Sequence, residues 1–175
     1  MILEEMMVEM GGVRSQDAGG FEYWEVDDVQ KYLEGVLMER KWVFCGRRGK
    51  YNELKPQKSQ DDLKESGNRE AIYFTNNPVV AEFCALAGGG KTVGARQNSI
   101  YMSYDTDTRV VDYSEVKLAV EFPENVATEG FVYISPAEGM EAINGEYLAY
   151  QPRKPDLVVK IRRQDLKYPI EKVEK

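Results

Sequence analysis

The run Trp42-Val43-Phe44-Cys45-Gly46-Arg47-Arg48-Gly49 constrains this chain more than any other stretch. Its consecutive apolar and aromatic side chains predict a buried strand. Glycines carrying two adjacent arginines then break the run and set positive charge directly against core-forming residues. Before it, an acidic helix is predicted from Trp24 to Arg40. Asp27 or Asp28 caps that helix, and Val29, Tyr32, Leu33, Val36 and Leu37 recur at helical spacing on one face.

On either side the pattern is that of one α+β domain. Residues 1–20, with Gly11-Gly12 and Gly19-Gly20, are expected to be a flexible leader holding a short helix over Ile2–Met10. Residues 21–175 are expected to be a single domain. After Arg47 a polar stretch runs to Glu70, anchored by Leu54 and Pro56. Ala71–Thr75 is a short strand, and Asn76-Asn77-Pro78 starts an apolar helix that stops at Gly88-Gly89-Gly90. Gly90-Lys91-Thr92 is no phosphate loop, because Ala85 stands where that motif needs its first glycine and the helix precedes the glycines.

The second half is predicted to be strands: Ser99–Tyr104, Arg109–Tyr113 across a turn at Asp105–Thr108, Val116–Phe122 and Phe131–Ile134. Ser135-Pro136 is expected to cap a short helix holding Met140 and Ile143. Asn144-Gly145 then turns the chain into Glu146–Tyr150, and Leu157–Ile161 follows a proline-rich link. Early helices followed by mostly antiparallel strands make an α+β arrangement.

Composition removes several chemistries. The chain of 175 residues contains no histidine, so neither Ser-His-Asp nor Cys-His nucleophilic systems can be built. Its two cysteines, Cys45 and Cys84, sit in apolar runs and suit buried thiols rather than a disulfide framework. No metal site is expected; Asp105-Thr106-Asp107 lacks the glycine and distal glutamate of a calcium loop. The formal net charge of −7 is uneven, and residues 40–58 are net positive inside an acidic chain. A local patch of that kind suits a small phosphorylated ligand, whereas bulk nucleic-acid binding needs a broad positive face. No membrane-spanning run or export signal is seen, and a cytoplasmic setting is expected.

Three blocks in order resemble a family. Phe44-Cys45-Gly46-Arg47 ends an aromatic strand, Ile72-Tyr73-Phe74-Thr75 runs into the Asn-Asn-Pro helix, and Asn144-Gly145-Glu146-Tyr147 opens a late strand. From Trp42 to Leu166 the chain is similar to the ADP-ribosyltransferase-like fold, a split antiparallel sheet that uses NAD. The resemblance implies that Glu146 is the catalytic carboxylate acting on the nicotinamide ribose. It implies that Arg47 anchors the dinucleotide, that Tyr73 and Thr75 line the nicotinamide pocket, and that Cys45 occupies a cofactor-binding position where a histidine often stands. Asn144 replaces a second glutamate found in members that modify arginine. The implied activity is transfer of ADP-ribose from NAD to an acceptor. Two other readings stand beside it: a non-catalytic nucleotide- or protein-binding module on the same fold, and an acidic inhibitor or structural protein meeting a basic partner.

Overall fold

The computed structural model describes residues 2–58, 69–88, 98–104, 111–143 and 145–174; of 103–104 and 111–114 it describes the backbone alone. Among the described residues three helices pack against a large sheet and a small one, an α+β architecture. No helix among them is long and apolar enough to cross a membrane.

The segment expected as a leader is built into the fold. Helix α1 (Leu3–Glu9) buries Leu3 and Met7, four residues apart on one face, and the Tyr32 hydroxyl donates to the Leu3 carbonyl at 3.1 Å. Strand β1 (Val13–Gln16) pairs with β2 (Glu22–Glu25), which takes Trp24 out of the expected helix. Helix α2 (Val29–Met38) starts where Asp28 accepts from the Lys31 N–H at 3.0 Å, and it buries Val29, Tyr32, Leu33 and Val36. Arg40, at φ 54°, ends the turn that follows it.

Strand β3 (Trp42–Arg47) does not stop at Gly46 as expected; it pairs with β8 (Glu129–Pro136) along its whole length, Trp42 to Pro136 and Arg47 to Phe131. Strand β4 (Gln57–Lys58) and β5 (Glu70–Thr75) follow, and helix α3 (Pro78–Ala87) begins where Asn77 Oδ1 accepts from the Val79 and Val80 N–H groups. Strand β6 (Ser99–Tyr104) pairs with β7 (Val111–Val120). The two strands expected around residue 114 are this single β7, since Asp112–Glu115 holds neither glycine nor proline to break it. Leu118 and Val120 are buried while Lys117 is exposed, the alternation expected of that strand. The turn at Asp105–Thr108 and the Gly90-Lys91-Thr92 triplet lie outside the described residues.

The expected helix after Ser135-Pro136 is replaced by β9 (Glu141–Ile143), which pairs with β10 (Glu146–Ala149) so that Ile143 faces Glu146. Asn-Gly between two pairing segments is a hairpin signal, and hairpin pairing here outweighs the helix-starting proline. Strand β11 (Leu157–Arg162) and β12 (Ile170–Lys172) complete the chain. The large sheet has the order β1-β2-β11-β8-β3-β5-β10-β9, with β4 beside β5; the small one is β12-β7-β6. Only the β2–β11 and β12–β7 pairings are parallel among the described strands.

Each face of the large sheet carries a core. Phe44, Val132, Ile134, Val159 and Ile161 meet the helices on one face; Val43, Cys45, Ile72, Phe74, Phe131 and Tyr133 pack with Phe21 and Leu54 on the other. Two glycines set how closely α3 approaches. A Cβ on Gly46 would stand 2.6 Å from the Ala85 nitrogen and nearer still to the Ala81 oxygen. One on Gly130 would stand 2.6 Å from the Ala85 carbonyl carbon. Helix backbone therefore rests on sheet backbone, with no side chain between them.

Candidate functional site

Pairing between β3, β5 and β10 decides which candidate residues share a face. Glu146 lies opposite Thr75, and Thr75 lies opposite Phe44, the one pair joining β3 to β5. Directly paired residues project to the same side, so Phe44, Thr75 and Glu146 face the helices, as does Tyr73 two positions before Thr75. Arg47 is three positions beyond Phe44 in the same unbroken strand and projects to the opposite face, together with Cys45. Glu146, Tyr73 and Thr75 are brought together; Arg47 and Cys45 are not among them. Asn144 lies outside the described residues.

On the helix face, Tyr73 donates its hydroxyl to the Arg69 carbonyl at 2.7 Å. Burial raises the Tyr73 pKa; the hydrogen bond to Arg69 opposes that, and the charge of Glu146 adds to it. Thr75 Oγ1 accepts from the Asn77 N–H at 3.0 Å, so its side chain also fixes the entry to α3. Past Phe44 and Thr75 the strands part, and β4 takes the vacated edge of β5 with Gln57 opposite Ala71. A split of the sheet thus opens beside Tyr73.

On the other face Arg47 donates through Nε to Cys45 Sγ at 3.4 Å and through Nη1 to Gln57 Oε1 at 3.0 Å, tying β3 to β4. Burial pushes the Cys45 thiol up, and Arg47 only partly opposes it. A buried neutral thiol is a packing group, not a nucleophile. The loop after β3 closes over this face: Tyr133 donates to the Gly49 carbonyl at 2.6 Å and accepts from the Tyr51 N–H at 2.9 Å. Arg48 turns back to the helix face and donates to the Ala87 carbonyl at the end of α3, where a cation meets the negative end of the helix.

Three features escaped sequence reasoning. Gly46 and Gly130 look like breakers until α3 is seen resting on them. Arg48 and Ala87 are far apart in sequence, and no local pattern couples them. Glu82 sits among apolar residues of α3 and is fully buried, where a carboxylate at that spacing reads as the helix's solvent edge. Two shallow hollows, one at Thr128, Arg162 and Gln164 and one at Tyr101, Lys117 and Glu171, are lined by none of the candidate residues. Among the described residues no group of three or more cysteine, aspartate or glutamate side chains is arranged to hold a metal ion. No family model, curated protein or solved structure matches this chain.

Proposed function

We propose that the chain is an ADP-ribosyltransferase-like protein whose reactive centre is the helix-side face of β5 and β10. The observation that carries this reading is the pairing of Glu146 with Thr75, with Tyr73 next to them, at the split between β3 and β5. Breaking the nicotinamide–ribose bond sends the bonding electron pair to nicotinamide and leaves positive charge on the ribose. A fixed carboxylate stabilises that charge and accepts a hydrogen bond from a ribose hydroxyl. Glu146 takes that role, and Tyr73 offers an aromatic surface for the nicotinamide ring. An acceptor nucleophile then forms the new bond to the ribose carbon and loses its proton. NAD is the cosubstrate in this reading. Arg47 and Cys45 drop out of the pocket because they face away from Glu146.

That same opposition favours a second reading, a non-catalytic binding module. A dinucleotide site needs a forked cation near its pyrophosphate, and the arginine expected to supply it is engaged with Cys45 and Gln57. Calorimetry with NAD followed by nicotinamide release from wild type and Glu146→Gln separates the two. Binding with release abolished by the substitution supports the transferase. Binding without release in either protein supports the module, and no NAD binding at millimolar concentration overturns the proposal.

A further inference from the structure

Helix α3 carries a carboxyl group that the proposed site does not use. Glu82 is fully buried, and neither of its oxygens has a hydrogen-bond partner among the described residues. Gln30 of α2, 5 % exposed, likewise has an unpartnered Oε1. The sheet face that the helices cover is apolar: Phe44, Val132, Ile134, Val159 and Ile161. The groups that reach it electrostatically come from two other elements. Asp28 and Glu34 belong to α2 and its cap, and Asp165, Lys167 and Tyr168 belong to the segment after β11.

That segment, 163–172, is a strap. It leaves β11 through a turn closed by the Arg162 N–H on Asp165 Oδ2 at 2.8 Å, and Leu166 is buried. Lys167 pairs with Asp28 at 2.9 Å, Tyr168 and Ile170 pack against the main core, and β12 then joins β7, with Ile170 opposite Leu118. The strap therefore fastens the small sheet to the helical layer, and its Lys167 and Asp165 act electrostatically on Glu82. Among the described residues the charges that act most on an ionised Glu82 are one cation, Lys167, which Asp28 already holds, and three carboxylates that repel it, Asp28, Glu34 and Asp165. A neutral Glu82 suffers none of this.

We propose that the strap is a proton-operated latch, closed over a neutral Glu82 and loosened when that carboxyl ionises. Burial, opposed by Lys167 and reinforced by Asp28, Glu34 and Asp165, holds Glu82 protonated up to about pH 8. In the open strap the group returns toward the ordinary carboxylate range. The open-to-closed ratio then rises about tenfold for each pH unit between 5 and 8, and levels off above that.

Hydrogen exchange on the full chain tests this, read as protection factors from pH 5 to 9 in the strap and in β3 and β8. In wild type the strap amides exchange through an opening smaller than global unfolding, with that tenfold slope. In Glu82→Gln and Glu82→Met, which cannot ionise, the strap slope is flat. A strap whose protection is independent of pH in wild type overturns the latch. So does a slope that survives both substitutions, and so does a strap that exchanges only together with β3 and β8.

Discussion

Substituting alanine at Gly46 or Gly130 tests whether α3 rests directly on the sheet. The added methyl would stand 2.6 Å from the Ala85 nitrogen at Gly46, and 2.6 Å from the Ala85 carbonyl carbon at Gly130. Ordinary contact needs about 3.5 Å, so the helix must lift by about 1 Å. Backbone cannot swing aside as a side chain tip can, and α3 carries Val79, Phe83 and Leu86 into the core as it moves. A gap of that size forfeits about a quarter to a half of each contact it opens. Overpacking of this kind costs about 3 kcal/mol, the upper part of the usual range. With a urea slope of about 2 kcal/mol per molar, each substitution lowers the unfolding midpoint by about 1.5 M, read from Trp24 and Trp42 fluorescence. One lift relieves both clashes, so the double variant loses about 4 kcal/mol rather than the sum of the two. Gly19→Ala, whose methyl would stand 3.4 Å from its nearest neighbour, is the control and stays within about 0.5 kcal/mol. Single variants as stable as the control, or a double variant that is fully additive, would refute the rigid seating of α3.

Other substitutions address the supports of the site. Asn77→Ala removes the acceptor for two N–H groups at the start of α3 and costs about 1 kcal/mol by chemical denaturation. Tyr133→Phe strands the Gly49 carbonyl and the Tyr51 N–H, and costs about 1–2 kcal/mol; faster exchange at Tyr51 checks that the loss is local. For Glu82 the pKa is raised from 4.5 to about 8, so the folded state holds a proton that the unfolded state releases across that interval. Stability is therefore fully present below about pH 4.5 and erodes by about 1.4 kcal/mol per pH unit up to 8. Glu82→Gln removes the erosion: urea midpoints of the two proteins converge near pH 5 and separate, with the variant ahead, toward pH 8. Equal midpoints at pH 8 would contradict the burial of an unpaired carboxyl.

Local chemistry was the legible part of the fold. Asn77-Pro78 announced α3 because a cap and a proline act within one turn, and Asp28 announced α2 for the same reason. Val116, Leu118 and Val120 announced a half-buried strand by their period. Residues 1–20 misled because two glycine pairs suggest a free leader, whereas the burial of Leu3 and Met7 depends on α2, which is distant in sequence. Pro136 misled because its helix-starting preference competes with eight residues of strand β8, already paired on both edges. Glu146, Tyr73, Thr75 and Arg47 were all grouped from block order, which carries no information about which face of a strand a side chain takes. The first three share a face because β5 and β10 pair in register, and Arg47 does not because it stands an odd number of residues from Phe44 in β3.

Gly46 faces α3, so its neighbours Cys45 and Arg47 must face away: the absent side chain that seats the helix also dictates where the guanidinium goes. Moving Arg47 to the Glu146 side needs a one-residue slip of β3 against β8. Such a slip would carry Phe44 out of the helix-side core and press Cys45 or Arg47 into the space that only glycine fits. Fold stability and site composition are thus one constraint at this strand. Any cation serving Glu146 has to come from a different element, and the seating of α3 on Gly46 and Gly130 is the reason β3 cannot supply it from Arg47.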